Sequence, residues 1–415
     1  MGVDREAIKM VFSMEFWRMA ILWTLSLLYS HFHLLFAKPL SALFPSFQPS
    51  PSYPRCHLST DPDSKVKRPI CVITGATSGL GKAAAKALAR EGYHVVLAGR
   101  CPDKLNKTIE EIKQKQEDAH VDAFEVDLSS IHSVMNFGSS IKQWLSDSNL
   151  HPSIQLLINN AGILAKSCRI TADRFDQMMQ TNYIGAFFLT NILLPLLKSS
   201  PVPSRVVNVT SFTHRFASCE DFSVETLGKE NLSCSSTLKG YPFASTYGYS
   251  KRMYALRKLR VETNLLVLSN YLLSIVFLFS IPVCLLLFSY ELHRQLYVNN
   301  TSSAVSVMPA DPGIVKTDIM RELPPTLSRL AFTVLRFLHL LQWPEIGVRP
   351  IIDAALAPPD ASGKYFFGGQ GRTIESSSLS YNTKLAEELW SVSSTLFREA
   401  QFSVVGSGSK SSLIY

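Results

Sequence analysis

Residues Ile70–Gly81 read ICVITGATSGLG, and this stretch decides the fold class. The short apolar, partly β-branched run Ile70–Thr74 predicts a strand, and the alanine-rich Lys82–Glu91 predicts a helix. Glycines lie between them at the positions where a tight turn, a close backbone approach and a close helix–strand contact favour glycine. A strand that passes through such a turn into a helix is the usual setting for binding a dinucleotide, with its pyrophosphate at the helix N-terminus.

The alternation of strands and helices continues along the chain. Further strands are predicted at His94–Ala98, Val121–Val126, Ile154–Ile158, Arg205–Val209 and Ala304–Met308. Strands that alternate with helical segments favour a parallel sheet covered by helices on both faces. We therefore expect a single α/β catalytic domain over 69–400, with a Rossmann-type, doubly wound parallel sheet.

The glycine turn and the end of the second strand form the expected cofactor site. Its contacts in the turn are Thr74, Gly75, Ser78, Gly79, Leu80 and Gly81. The second strand leads into Arg100, where an acidic residue would bond the ribose and select NAD. Arg100 instead offers a bidentate cation to a 2′-phosphate, with Lys104 as a second cation. We therefore expect NADP(H), the alternative being that Arg100 is a solvated surface residue.

A tyrosine and a lysine supply the expected proton chemistry. Tyr247 and Lys251 lie four residues apart, on one face of a predicted helix. A free tyrosine has a pKa of about 10, and a neighbouring ammonium lowers this pKa by favouring the phenolate. The pair can then exchange a proton beside a hydride carrier. Because Tyr-x-x-x-Lys is common by chance, it is informative only together with the other motifs.

Taken together, the motifs resemble the short-chain dehydrogenase/reductase superfamily over roughly residues 69–251 and 284–395. The matching positions are the glycine turn, Asp127, Asn159–Gly162, Tyr247 with Lys251, and Pro312-Gly313. Within the superfamily, the chain looks most like the retinol-dehydrogenase-like branch. The residues that carry this closer likeness are Ser204–Ser211, Pro344–Gly347, Ser362–Phe366 and Leu389-Trp390.

The resemblance implies a role for each matching residue. Tyr247 would exchange the proton with the substrate oxygen, and Lys251 would lower the tyrosine pKa and hold the nicotinamide ribose. Ser211 would bond the substrate oxygen, with Thr210 as the alternative because the interval to Tyr247 is long for this branch. Asn182 would hold the water of a proton relay. The other implied cofactor contacts are Asp127 and Leu128, Asn159, Asn160, Ala161 and Gly162, and Pro312, Gly313 and Thr317.

The N-terminal region contains an apolar run. Residues 19–36 carry no Asp, Glu, Lys or Arg, and Arg18 and Lys38 flank them. This run approaches the roughly 20 apolar residues that cross a bilayer, and nearby tryptophans fit an interface. We expect 1–38 to be a hydrophobic membrane anchor, 39–68 a flexible Ser/Pro-rich linker and 401–415 a flexible tail. The alternative for the first segment is a cleaved signal or transit peptide.

A second uncharged run, Asn264–Tyr290, interrupts the family-like pattern. Read alone, it predicts another transmembrane helix, yet a span there would divide the domain between its catalytic helix and its sixth strand. The family-like apolar helix resumes only at Cys284. We interpret 252–283 as a translated intron that is absent from the functional protein. The alternative is a genuine membrane-docking insertion.

Composition narrows the function classes. Charged residues are 18% and hydrophobic residues 46% of the chain, which favours contact with a membrane. The net charge of +8 comes largely from scattered residues, no nucleic-acid motif occurs and no CxxC occurs, so we expect neither nucleic-acid binding nor a metal site.

The expected reaction interconverts a carbonyl and an alcohol by hydride transfer. The apolar region 327–343 beside a membrane anchor favours a lipophilic small-molecule substrate such as a retinoid, prenyl, steroid or fatty aldehyde. The alternative function is a catalytically impaired, cofactor-binding membrane protein disrupted by 252–283. We expect the endoplasmic reticulum membrane first and a plastid membrane second, and we keep a homodimer as an expectation.

Overall fold

The computed structural model describes residues 14–43, 50–56, 66, 68–148, 150–165, 169–217, 281–297, 305–322 and 325–408. Tyr247, Lys251 and residues 252–280 lie outside these ranges, as does most of the expected linker.

The strands of the described residues form one large sheet and one small pair. They are β1 Ile70–Thr74, β2 His94–Gly99, β3 Val121–Glu125, β4 Leu156–Asn159, β5 Ser204–Val209, β6 Val305–Asp311, β7 Ile314–Val315, β8 Leu341–Gln342, β9 Tyr365–Phe367 and β10 Thr373–Ile374. The large sheet has eight strands in the order β10-β9-β6-β5-β4-β1-β2-β3. All its neighbouring strands are parallel except β9 and β10, which are antiparallel. The Rossmann-like α/β sheet is thus confirmed, with an antiparallel edge that the sequence pattern did not indicate.

Helices cover both faces of this sheet. They are α1 Met14–Leu43, α2 Gly79–Arg90, α3 Pro102–Lys113, α4 Ile131–Asp147, α5 Gln177–Met179, α6 Gly185–Lys198, α7 at 281–297, α8 Pro325–Phe337, α9 Pro344–Gly347, α10 Arg349–Ala355 and α11 Thr383–Gly408. One core cluster joins the sheet to α4, α6, α7 and α11. A second cluster, on the other face, joins it to α2, α3 and α10. The carboxyl ends of the parallel strands, where such folds bind ligands, therefore lie between two packed layers.

The N-terminal helix α1 lies against the domain. Leu27 is buried, and the Oγ atom of Ser26 donates a hydrogen bond of 3.1 Å to the carbonyl of Phe212. The Trp23 ring meets the Phe212 ring edge-on, with 6.1 Å between centroids. No helix in the described ranges is both long and apolar enough to span a bilayer. The expected transmembrane helix at 19–36 is therefore not supported, and one face of this run packs on protein instead.

Residues 50–56, which we expected to belong to a flexible linker, contact the edge of the domain. The amide of Tyr53 donates to the carbonyl of Gly371 at 2.9 Å, and the amide of Cys56 donates to that of Leu356 at 2.6 Å. The guanidinium of Arg55 pairs with the buried carboxylate of Asp353 at 2.7 Å. A Ser/Pro-rich composition did not reveal these contacts, because backbone groups and a single arginine make them.

Helix α7 is buried along most of its length. Val283, Leu286 and Leu287 have no exposed surface, and Ile281 is 3% exposed. The last three residues of the 252–283 segment therefore belong to this buried helix, and Pro282 does not interrupt it over 281–297. The apolar helix that we expected from Cys284 is present and packs on the sheet, and it begins at least three residues earlier, at Ile281.

Candidate functional site

The glycine turn brings β1 and α2 into close contact. Gly75 has a φ of +65°, in the left-handed region that favours glycine. A Cβ atom on Gly81 would lie 2.3 Å from the carbonyl oxygen of Gly75 and 2.5 Å from the Asn160 side chain. No side chain fits there without moving the backbone. The tight turn and the close helix–strand packing that the sequence predicted are both present.

The middle glycine of the turn faces the loop after β6. Gly79 has a φ of +50°, and a Cβ atom on it would lie 2.9 Å from the Cγ2 atom of Thr317. Two segments of the chain, predicted separately from distant sequence, therefore meet across the crevice. Ser78, at the N-cap of α2, is exposed and its side chain makes no capping bond, and the Leu80 side chain is half-buried.

The residues after β4 hold the floor of the crevice. The Oγ1 atom of Thr74 accepts hydrogen bonds from the amides of Asn160 and Ala161, both at 3.0 Å. The Nδ2 atom of Asn160 donates to the carbonyl of Thr74 at 2.9 Å. These bonds fix β1 and β4 to each other at their carboxyl ends. Asn160, Ala161 and the exposed Gly162 consequently line the opening.

Asn159 has a different position from its neighbours. It is 5% exposed, and its Nδ2 atom donates to Thr190 Oγ1 and to Asn208 Oδ1, both at 2.8 Å. Asn208 in turn donates to Ser289 Oγ on α7 at 2.8 Å. This buried polar chain ties β4, β5, α6 and α7 together. The side chain of Asn159 is thus held in a buried hydrogen-bond network, and its expected contact with the cofactor stays a prediction.

The outer part of the crevice carries charged and polar groups. Arg100, after β2, and Lys104, on α3, are both exposed. Asp127, after β3, accepts hydrogen bonds at one carboxylate oxygen from the amide and the hydroxyl of Ser129, at 2.9 and 2.7 Å. The carbonyl of Leu128 lies so close to Gly185 that a Cβ there would approach it to 2.6 Å. Two exposed cations thus lie near the end of β2, and the carboxylate of Asp127, held by Ser129, follows β3.

Asn182 lies in an irregular turn. Residues Gln180–Ile184 form a π-helical turn before α6, a feature that often marks functional sites. The Oδ1 atom of Asn182 accepts from the amide of Ile163 at 2.8 Å, and its Nδ2 atom donates to the carbonyl of Ile163 at 2.9 Å. The side chain is thereby held against the segment that follows Gly162.

Ser211 and Thr210 follow β5 with different surroundings. Ser211 is partly exposed, and its Oγ atom accepts bonds within its own short helical turn, from the Thr213 amide at 3.4 Å and hydroxyl at 3.2 Å. Thr210 is buried, and its hydroxyl donates to the carbonyl of Pro282 at 3.3 Å. Of the two, Ser211 has the hydroxyl that a substrate can reach.

Asp311, which we did not single out from the sequence, connects the loops on either side of the crevice. Its carboxylate accepts from the Gly313 amide at 2.7 Å, from the Tyr365 hydroxyl at 2.6 Å and from the amide of Phe212. Burial raises the pKa of Asp311 to about 6, although these hydrogen bonds lower it in part. A carboxylate directly before Pro312-Gly313, at the end of a strand, was the available signal for this residue.

His214 lies in the short helical turn Phe212–Phe216, which follows Ser211. Burial lowers the pKa of His214 to about 3, so the ring is neutral at physiological pH. Its Nδ1 atom is 2.8 Å from the carbonyl of Ser211, and its ring meets Tyr365 edge-on at 5.2 Å. His214, Tyr365 and Asp311 therefore form one buried assembly, which contacts the loops that carry the partly exposed Ser211 and Thr317.

The described residues fit a phosphorylated dinucleotide. The absence of a side chain at Gly79 leaves the backbone amides open to a pyrophosphate, and the absence of one at Gly81 lets α2 pack close to β1. Arg100 is available for a 2′-phosphate. Tyr247 and Lys251 lie outside the described residues, so their expected position beside Ser211 stays a prediction.

Comparison with known proteins gives a consistent result. A family model described as short chain dehydrogenase matches residues 69–220. The chain is 31% identical to polyprenol dehydrogenase of Homo sapiens, over 78% of this chain and 83% of that protein. It is 30% identical to retinol dehydrogenase 12 of Mus musculus, over 79% of this chain and 85% of that protein.

A crystal structure of an uncharacterized protein from Mycobacterium Paratuberculosis shares the fold. The TM-score is 0.52 at 24% sequence identity, and the match covers 82% of this chain and 96% of that one.

Proposed function

The chain belongs to the short-chain dehydrogenase/reductase superfamily, in its retinol-dehydrogenase-like branch, and on that premise we propose that it is an NADP(H)-dependent oxidoreductase. It interconverts a carbonyl and an alcohol on a lipophilic small molecule. The nicotinamide supplies or accepts the hydride, and the protein orients both reactants and handles the proton.

The observation that carries the proposal is the cradle formed by the glycine turn and the loop after β6. Gly79 faces Thr317 with no room for a further methyl group, and Gly81 packs against Gly75 and Asn160. In a dinucleotide-binding turn, the glycine equivalent to Gly79 lets a pyrophosphate reach the backbone amides, and the one equivalent to Gly81 lets the helix pack close to the strand. The position of Thr317 fits its expected contact with the carboxamide, since it lies across the crevice from α2.

The preference for NADP(H) rests on Arg100. An arginine can bond a 2′-phosphate with two parallel N–H groups, and the exposed Lys104 on α3 adds charge nearby. We expect NADPH to bind more tightly than NADH. Arg100→Asp should weaken NADPH binding by about 2–4 kcal/mol, through loss of a charge-assisted contact and new repulsion, while NADH binding changes little. Titration of both cofactors checks this, and equal affinity of the parent for both would refute the preference.

The proton chemistry is assigned to Tyr247, with Lys251 lowering the pKa of its hydroxyl. Ser211 bonds the substrate oxygen and Asn182 holds a water for proton relay. Support for Ser211 over Thr210 comes from exposure, because the hydroxyl of Thr210 is buried and bonded to Pro282. Tyr247→Phe should remove turnover and leave NADPH binding intact.

A lipophilic substrate is supported by the surface near the crevice. The side chains of α8 and of the segment after it expose large apolar groups, among them Phe337 and Trp343. Such a surface suits an apolar molecule that leaves a membrane. We propose that the protein acts at a membrane, with the endoplasmic reticulum favoured over a plastid membrane, and that it can form a homodimer.

The competing proposal is a protein that binds the cofactor without turnover, because the segment 252–283 interrupts the family-like sequence pattern of the catalytic domain. Ile281 and Val283 are buried in α7, and the carbonyl of Pro282 accepts the Thr210 hydroxyl. The segment to remove in a test is therefore 252–280, which keeps all the described residues of α7, 281–297.

The experiment compares the full chain with the form lacking 252–280, for NADPH binding and for NADPH oxidation with a panel of retinoid, prenyl, steroid and fatty aldehydes. Turnover by both forms supports the enzyme. Turnover only by the shortened form supports the intron interpretation of this segment. NADPH binding without turnover by either form supports the silent protein.

A further inference from the structure

Helix α1 exposes a stripe of large apolar side chains on the face away from the domain. Its members are between 47% and 55% exposed, and they are Ile21, Leu25, Leu28, Tyr29, Phe32 and Phe36. Their spacing of three and four residues places them on one side of the helix. From the first to the last, the stripe extends about 22 Å at the usual helical rise. The opposite face, with Ser26 and Leu27, is buried against the domain.

A second apolar patch lies on α8 and the segment that follows it. Its exposed side chains are Leu330, Val334, Phe337, Leu338, Trp343 and Ile346, and Phe337 is 82% exposed. The inner sides of α1 and α8 meet in one small cluster that includes Leu27, Phe212 and Leu335. The two exposed surfaces therefore lie on helices that share this buried cluster, and we call them together the apolar platform.

Cations border the apolar platform. The Nζ atom of Lys316 lies 4.6 Å from the centroid of the Trp343 ring, and the guanidinium carbon of Arg215 lies 5.2 Å from that of Tyr29. Helix α8 adds the exposed Arg329 and Arg336 and contains no acidic residue. Apolar groups edged by aromatic rings and cations are typical of helices that lie in a lipid interface.

We propose that the apolar platform docks flat on a lipid bilayer with anionic headgroups, so that α1 lies in the plane of the interface. The proposal deepens the membrane part of the proposed function and rests on it. A second copy of the chain fits this surface less well, because a two-fold symmetric contact uses the same surface on both copies and would bring two sets of the same bordering cations together. Lipid phosphates complement the same charges.

Docking in this orientation places Ser211, the residue expected to bond the substrate oxygen, near the hydrocarbon of the bilayer. Ser26 and Trp23 of α1 contact Phe212, the residue directly after Ser211. The cluster of Leu27, Phe212 and Leu340 lies between the crevice loop and the platform. A lipophilic substrate then meets apolar side chains, those of this cluster, on the side of Ser211 that faces the bilayer.

Flotation with vesicles tests the platform in the full chain. Vesicles of phosphatidylcholine are compared with vesicles of phosphatidylcholine and phosphatidylserine, at low and high salt. Phe32→Glu and Phe337→Glu should each lower the bound fraction roughly tenfold, because an apolar side chain is replaced by a charge that lipid excludes. Phe402→Glu is the matched control: Phe402 lies on α11, is 77% exposed, and should leave binding unchanged. Binding should be stronger with phosphatidylserine and should weaken with salt.

Four results would overturn the proposal. Both platform variants could bind as the parent does, or Phe402→Glu could lose as much binding. Sedimentation could show that the parent self-associates through Phe32 and Phe337, which would make a second copy the occupant. Vesicle binding could instead be lost on deletion of 252–280 and be unchanged in the Phe32→Glu and Phe337→Glu variants. NADPH affinity is measured on every sample, so a failure of docking and a failure of the proposed oxidoreductase are distinguished.

Discussion

Two helices of this molecule look alike in sequence and have opposite surroundings. Both α1 and α7 lie in long runs without charged residues, and hydropathy alone predicts that each crosses a membrane. In the structure, α7 is enclosed between the sheet and its neighbouring helices, and Val283 to Leu287 are almost free of solvent. Helix α1 buries one face only and exposes large apolar groups on the other.

The polar residues of the two helices show the difference that hydropathy conceals. On α7, Ser289 accepts from Asn208 inside the core, and the buried Glu291 pairs with Arg294. On α1, the buried serines Ser26 and Ser30 lie on the side that faces the domain, within an apolar surrounding. An apolar run thus indicates that its side chains avoid water, in protein or in lipid. The positions of its few buried polar groups show which face of the helix packs against protein.

The largest expected effect comes from truncating matched phenylalanines on the two helices. Phe288 of α7 is 2% exposed, and its ring centroid lies 5.1 Å from that of Phe187 and 6.1 Å from that of Trp390. Phe288→Ala should lower the free energy of unfolding by about 3–5 kcal/mol, because it leaves a cavity. Phe32→Ala, on the exposed stripe of α1, should change it by less than about 1 kcal/mol.

Urea unfolding of both variants in the absence of lipid measures the contrast. Similar losses for Phe288→Ala and Phe32→Ala would contradict the distinction between the helices.

A second expected effect concerns the hairpin that both helices touch. Leu286 and Tyr290 of α7 and Leu34 of α1 pack with Tyr365, whose hydroxyl bonds the carboxylate of Asp311. Burial raises the pKa of Asp311 to about 6 from its ordinary value of 3.8. The folded protein therefore holds this proton more tightly than the unfolded chain. The stabilisation is complete below about pH 4 and is lost as the pH rises to about 6.

Asp311→Asn should remove this dependence. Over this interval, the free energy of unfolding of the parent should fall by about 3 kcal/mol relative to that of the variant, from a shift of roughly two pKa units. Unfolding measured from pH 4 to pH 7 checks the difference. Tyr365→Phe is the companion variant, since it removes a hydrogen bond that favours the carboxylate and should raise the pKa of Asp311 further. Parallel pH profiles for parent and Asp311→Asn would contradict the buried, raised carboxyl.

The sequence predicted the parallel sheet and the cofactor cradle because both have local signatures. The strand Ile70–Thr74 was placed at its observed bounds, and the glycines between a strand and a helix predicted the tight turn that the structure shows at Gly75. The loop after β6 was found through Pro312-Gly313. Each of these features depends on the backbone of a few consecutive residues, which is the range over which sequence patterns act.

Contacts between segments that are far apart in the chain could not be predicted from these local sequence patterns. The meeting of Gly79 with Thr317, and of Ser26 with Phe212, depends on how complete elements pack. Asp311 was not singled out from the sequence, because its burial depends on Tyr365, 54 residues later in the chain. The expected transmembrane role of 19–36 was inferred from apolar content, which does not distinguish lipid from protein as the neighbour.

The smallest expected effect on stability is that of replacing one buried serine in each helix. Ser289 of α7 accepts the hydrogen bond of Asn208 at 2.8 Å, and Ser26 of α1 donates to the carbonyl of Phe212 at 3.1 Å. Ser289→Ala leaves a buried amide without this acceptor and should lower the free energy of global unfolding by roughly 1–3 kcal/mol. Ser26→Ala should cost about 1 kcal/mol, and we expect the loss to appear as local opening of α1. Urea unfolding measures the first effect, and hydrogen exchange of the α1 amides measures the second. If Ser26→Ala reduced global stability as much as Ser289→Ala and left exchange in α1 unchanged, α1 would be part of the cooperative core, and the contrast between the two helices would be lost.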